Sequence, residues 1–308
     1  MPRLTATPFR RGFTLVELIV SLAILAIVGT LVVRVAMGQQ QFHHLASEQM
    51  RMRRELRSTM QLVPADLRSI SSSGGDIETI AEEALTFRAV IGSSVVCALP
   101  SSATIDLPPG TLARTTLTHF SSPPVPGDTV WVFDDSTAIG AEDDRWLPRE
   151  IVAVTPRTNA CLGSPLLDAA LDEGKVGTRL TVDASLPASV TEGSGLRITR
   201  RTRYQLDAQA SGRWYLTRSE FIDGAWTSAA PISGPFEAPT SASGTAGVRF
   251  AYFDSLGAAV TSPVDARRIA RIDLRLTATG AVSSNLAARG MTATRDSLAF
   301  RIALRNRQ

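Results

Sequence analysis

Residues 13–33, "FTLVELIVSLAILAIVGTLVV", form an apolar run of twenty-one residues with one charge, Glu17. As an α-helix at about 1.5 Å per residue the run would span about 31 Å, the thickness of a bilayer's hydrocarbon core. A carboxylate inside such a helix costs on the order of 3 kcal/mol and usually has a partner. Three readings compete. A cleaved secretory signal has an apolar core of about 7–15 residues with a small-residue site after it. This run is longer, and "GTLVVRVAMG" is a poor site of that kind. A plain membrane anchor fits the length and leaves Glu17 without a role. A cut between Gly12 and Phe13 would instead create an α-ammonium on Phe13, within one helical turn of Glu17 on the same chain or beside it on a neighbouring copy.

The residues around that junction carry a resemblance. Arg3, Arg10 and Arg11 precede Gly12, "FTLVE" follows, and the apolar run continues to Val33. This order resembles the type IV pilin-like superfamily: pilins, minor pilins and the pseudopilins of type II secretion. The resemblance implies a basic leader, 1–12, that a membrane peptidase removes by cutting after Gly12. The same enzyme would methylate Phe13, and Glu17 would be the assembly carboxylate. It further implies a single-pass protein of the bacterial inner membrane with a periplasmic head. The head would later lie in a filament, in the periplasm or at the cell surface. The implied partners are the prepilin peptidase/methylase, other minor and major pilins or pseudopilins, and the inner-membrane assembly platform.

Charge adds to this picture. The formal net charge is +3, and loss of the three leader arginines would bring it to zero. The basic balance therefore sits where it sets membrane topology and does not point to nucleic acid. Two cysteines, Cys97 and Cys161, lie in the part that would be exported. An even count in an oxidising compartment suggests one disulfide, with two buried thiols as the alternative. Closing a loop of that length would contribute roughly 4 kcal/mol on the chain-entropy account.

Past the membrane the helix should continue. Residues 39–63 hold no Gly or Pro, and Phe42, Leu45, Met52, Leu56, Met60 and Val63 recur at helical spacing. Pro64 would kink the helix or restart it, "PADLRSI" reads as its last stretch, and Ser71–Gly75 ("SSSGG") breaks it. The remainder, 71–308, reads as β. Short runs at 84–91, 94–99, 114–120 and 128–134 are β-branched or alternating. A hairpin is predicted over 195–208 and 213–223, with three more strands at 247–254, 270–279 and 297–306. Segments 123–127 and 231–247 read as loops. The fold class is α+β: a long helix over 13–70, transmembrane over 13–33, on a large antiparallel β head of two sheets or of one sheet with long insertions. The tail from 195 to 306, through "WYLTRSE", "FAYFDSLG" and "FRIALRN", resembles the family's minor subunits, the minor pseudopilin J of type II secretion and its counterpart W of type IV pili. Residues 100–190 resemble nothing recognisable.

Other chemistry is sparse. The three histidines, His43, His44 and His119, have no metal-ligand spacing with a cysteine. There is no G-x-S-x-G elbow, no Walker-type loop and no dinucleotide fingerprint. No cofactor is expected, and the chain reads as a structural protein, not an enzyme. The acidic cluster Asp134, Asp135, Glu142, Asp143 and Asp144 could wrap calcium but lacks an EF-hand register, so a solvated turn is the better reading. The arginines Arg197, Arg200, Arg201 and Arg203 could touch an acidic partner or DNA, but strand alternation puts Arg197, Arg201 and Arg203 on one face and Arg200 on the other, which favours an exposed strand face. Two roles fit the whole: a filament subunit near the tip that starts assembly, or a tip binding module, adhesin or DNA-uptake subunit, on the same scaffold.

Overall fold

The protein is described by a computed structural model over residues 14–136, 144–239, 247–279 and 295–304. One α-helix, α1 (Leu15–Arg68), precedes fifteen strands. The first eight are β1 (Ile77–Ile80), β2 (Ala84–Val95), β3 (Ala98–Ser101), β4 (Thr104–Leu107), β5 (His119–Phe120), β6 (Thr129–Asp134), β7 (Arg145–Thr158) and β8 (Val176–Val182). Then follow β9 (Gly195–Ala208), β10 (Trp214–Ile222), β11 (Ala225–Trp226), β12 (Ala230–Phe236), β13 (Val248–Phe253), β14 (Arg271–Thr279) and β15 (Arg295–Ala303). The chain divides within α1 into two compact units, Met1–Arg51 and Met52–Gln308. The class is α+β, a long N-terminal helix followed by a large antiparallel β region.

In the second unit the helix shows its apolar stripe. Met52, Leu56, Val63 and Leu67, with Ile70 just beyond, are buried among Phe87, Tyr204, Leu216 and Ile272. Each such side chain contributes roughly 1.5–3 kcal/mol by leaving water. Met60, expected on the stripe, is 37 % exposed, and Phe42 is exposed too. At about 100° per residue Thr59 lies as close to the stripe's centre as Met60, on its other side. Thr59 is buried, and its hydroxyl is bonded to Ser233 and to the Glu55 carbonyl. Pro64 neither ends nor restarts α1, which runs through it to Arg68. Asp66 near the helix end accepts a 2.6 Å bond from the Tyr204 hydroxyl. Burial is the main reason that phenol is held far above its ordinary pKa. After the helix, Gly75 takes a positive φ of 87° and Asp76 turns its carboxylate back onto the Ser71 N–H at 2.6 Å. The predicted "SSSGG" stop thus has a cap.

Of the two expected arrangements, two sheets or one, the strand pairings form one continuous path, with two cores. The hinge of that path is β9, fourteen residues long. One edge pairs with β2 from Gly195 to Gln205. The other edge is shared: β6 takes Leu196–Thr199 and β10 takes Thr202–Ala208. Leu196 and Ile198 belong to a core with Val130, Ile151 and Leu180, while Tyr204 and Leu206 belong to the core that holds the helix. Between them, on the side away from Arg197, Arg201 and Arg203, stands Arg200, 3 % exposed. The sequence reading of this segment as a solvated basic strand fails here. Arg200 donates from Nε and Nη2 to the two oxygens of Asp128, both at 2.8 Å. Its Nη1 reaches Glu220 and Ser122, each at 3.0 Å, and Nη2 also reaches the Pro123 carbonyl at 2.8 Å. A buried guanidinium is tolerated because its donors are met by charge-assisted bonds.

Other differences have local causes. The predicted strand 114–120 shrinks to β5, because the Thr118 hydroxyl bonds the Pro108 carbonyl at 2.7 Å and Ser94 at 2.7 Å, so side-chain bonding replaces the ladder. The run 94–99 is broken at Cys97, which lies between β2 and β3. Segment 231–247, read as a loop, contains β12. A Cβ on Gly234 would come within 2.8 Å of the Tyr215 ring, so glycine is what lets this strand approach β10. The unread strand β7 holds Pro148 and Pro156. Its first part, up to Glu150, pairs with β6 and its remainder with β8, so each part has one ladder and the edge character that proline accepts. With β3, β4 and β8, it builds the second core from the stretch that resembled nothing known.

Arg200→Ala would leave Asp128, whose side chain is fully buried, as an unpaired buried charge. The expected loss is about 3–5 kcal/mol in urea unfolding of the full chain in detergent. A loss under about 1 kcal/mol would show that the ion cluster does not join the two cores.

Candidate functional site

The apolar run forms the first turns of α1. From Leu15 to Met37 its large apolar side chains are 49–76 % exposed, and none of its most apolar eighteen-residue window is buried. A helix that is apolar all round and uncovered by its own chain requires lipid or other helices around it. Its few hydroxyls do not ask for water. Ser21 donates to the Glu17 carbonyl at 2.7 Å, and Thr30 to the Ala26 carbonyl at 3.0 Å, which satisfies them within the helix.

Glu17 sits in the first turn. Its Oε2 accepts the Thr14 backbone N–H and the Thr14 hydroxyl, both at 3.0 Å. The Glu17 N–H in turn donates to the Thr14 hydroxyl oxygen at 3.3 Å. This is a capping box, in which residues three apart satisfy each other's orphan donors at a helix start. The signal for it is T-x-x-E within "FTLVEL", Thr14 to Glu17, which the sequence reading above does not use. The acid also lies at the positive end of the helix dipole. Its second oxygen, Oε1, has no partner among the described residues. The arrangement therefore presents half a carboxylate outward at the entrance of an uncovered apolar helix.

Residues 8–33 match the prokaryotic N-terminal methylation motif. Over these residues the chain is similar to type IV pilin-like proteins. No curated protein and no solved structure matches it. Within the motif, Glu17 has the position just described, and Gly12 and Phe13 lie outside the described residues. The motif belongs to structural, not catalytic, proteins, and a membrane-anchored subunit processed by a prepilin peptidase and assembled with other pilins follows from it.

The remaining candidate residues are scattered. Cys97 and Cys161, both buried, are bonded across a sequence separation of 64 with Cα atoms 5.5 Å apart. They tie the end of β2 to the turn after β7, at the border of the second core. His43 and His44 are exposed on α1, and His119 is exposed in β5, far apart in the chain. Of the acidic cluster, Asp134 is buried and accepts Arg145 Nε at 3.2 Å, and Asp135 is exposed. Asp144 is half-buried, and Glu142 and Asp143 lie outside the described residues. Among the described residues no group of three acids, histidines or cysteines could hold a metal.

Alkylation of the protein purified without reductant should find no free thiol. Replacing both cysteines with serine should lower stability by roughly 4 kcal/mol, since the loop closure is lost. A quantitative thiol signal from native protein would contradict the bridge.

Proposed function

We propose that this chain is a minor pilin or pseudopilin, a low-copy subunit that sits at or near the tip of a type II secretion pseudopilus or type IV pilus and helps start its assembly. Support comes first from Glu17, an acid with one open oxygen at the entrance of an uncovered apolar helix. Inside a bundle of such helices an unpaired carboxylate is costly, and an α-ammonium from a neighbour offsets that cost. The pair also sets axial stagger, because one register alone brings the two groups together. On this reading the peptidase cuts after Gly12 and methylates Phe13 while the chain spans the inner membrane once, head in the periplasm. The assembly platform and the other pilins or pseudopilins then receive it. The second core enlarges the head beyond what packs comfortably along a shaft, which favours the tip over the repeating position. The likeness of residues 195–306 to the J and W minor subunits points the same way. The rival reading, a tip adhesin or DNA-uptake module, uses the same scaffold with the head as binder; no nucleic-acid-binding feature of the sequence favours it.

Mass analysis of the membrane form should find N-methylated Phe13 as the first residue. Intact Met1, or a first residue near Gly38, would refute the reading. Glu17→Ala should leave insertion and cleavage intact while co-purification with other filament subunits falls to background. Incorporation at the level of the unaltered chain would leave Glu17 without an assembly role.

A further inference from the structure

On the outward face of β9 the arginines are not equivalent. Arg197 is closed off: it forks onto the buried Asp76 at 2.9 and 3.3 Å and lies 4.8 Å from the Trp131 ring. Arg201 is held differently. Its Nε donates to both oxygens of Glu78 at 3.1 and 2.8 Å, and its guanidinium lies 4.7 Å from the Phe221 ring centroid and 5.6 Å from that of Trp226. Pinned along one edge and stacked on aromatic rings, it keeps Nη1 and Nη2 without partners among the described residues. Such a preorganised fork loses little freedom when it binds an anion. Arg88 on β2 draws on the same Glu78 at 3.0 Å and on the Thr129 hydroxyl at 2.7 Å, so one carboxylate serves two guanidiniums.

These groups line a cleft of about 680 Å³, a volume typical of ligand sites. The short 3-10 turn Pro263–Arg268 contributes to its wall. From that turn Arg267 faces the cleft, exposed and with no partner among the described residues. Glu150 is the second carboxylate of the lining, also without a side-chain partner there. Three cations thus stand against two anions, and the surplus positive charge has open donors. Ile77, Phe221 and Val264, the last 89 % exposed, give the cleft apolar surface.

We infer that this cleft binds an acidic peptide segment of a partner protein, with one carboxylate taking the open forks of Arg201 and Arg267 and a neighbouring apolar side chain covering Phe221 and Val264. A phosphate group fits less well, because Glu78 and Glu150 repel a dianion and the apolar walls would stay bare. The inference does not depend on where in a filament the subunit stands.

The test uses the full chain in detergent and three probes: an end-capped fluorescent peptide of alternating valine and glutamate, its valine–glutamine counterpart, and inorganic phosphate as competitor. The glutamate peptide should bind at least about tenfold more tightly than the glutamine peptide, the scale of one charge-assisted bond, and its binding should weaken with salt. Arg267→Ala removes an exposed, unpaired side chain and leaves folding unaffected. It should cost about tenfold in affinity, whereas Arg157→Ala, at another exposed arginine, should change nothing. Arg201→Lys, which keeps the charge beside Glu78 and removes the fork, should weaken binding similarly. Equal binding of the two peptides, unchanged affinity in Arg267→Ala, or full displacement by millimolar phosphate would each overturn the inference.

Discussion

The rest of the structure depends on an apolar helix that its own chain does not cover. From Leu15 to Met37 the side chains that would form a core in a soluble protein stand exposed around the whole circumference of α1. Such surface is paid for only by lipid or by other helices. The one acid in the segment is then the one group able to distinguish a correct neighbour from any other apolar surface. In the single chain Glu17 is occupied by Thr14, and the capping box spares the membrane an unsatisfied helix terminus. The contacts use Oε2, so the acid holds the helix start and still offers Oε1. On the proposed reading the carboxylate has two tasks, capping and assembly, and so the position is not simply apolar.

Below the anchor the chemistry changes from exposure to satisfaction. The helix stripe from Met52 to Leu67 is buried against strands from both ends of the head, β2 as well as β9 to β14, and Asp66 closes that contact through Tyr204. The same long strand, β9, then carries a second core on its other half. At the point where its partner edge passes from β6 to β10 no ladder crosses the gap, and the Arg200–Asp128–Glu220 cluster occupies it. A buried ion cluster is weak as a source of net stability and strong as a source of specificity once all its donors are met. Here it fixes where two strands diverge, and so how the enlarged head is laid out.

Much of this was legible. The run 13–33, the long helix to within two residues of its end at Arg68 and the hairpin 195–223 could be read from hydrophobic periodicity and turn residues, and the N-terminal motif from "RRGFTLVEL". What was not legible had physical causes. Thr59 replaced Met60 on the helix stripe because a hydroxyl with two partners is as acceptable in a core as an apolar group. Prolines hid β7, since a strand that pairs on one side at a time can hold them. Gly234 and its neighbours disguised β12 as a loop, since close approach to β10 needs a missing side chain. Arg200 was placed on the correct face and given the wrong solvent, because alternation says which way a side chain points and not what waits there. In the site itself the T-x-x-E cap was present in the letters and overlooked in favour of the more distant partner.

The proposed double use of Glu17 sets two explanations of the acid apart: helix capping and charge recognition. Glutamine at position 17 can still close the capping box with Thr14 but carries no charge, whereas Thr14→Ala removes the cap, at a cost of about 1 kcal/mol, and keeps the charge. The most direct measurement is therefore the fraction of processed subunit that co-purifies with the filament in Glu17→Gln and Thr14→Ala cells. The account predicts that Glu17→Gln is cleaved and methylated yet excluded from the filament, while Thr14→Ala is incorporated. Normal incorporation of Glu17→Gln, or exclusion of Thr14→Ala alone, would contradict it.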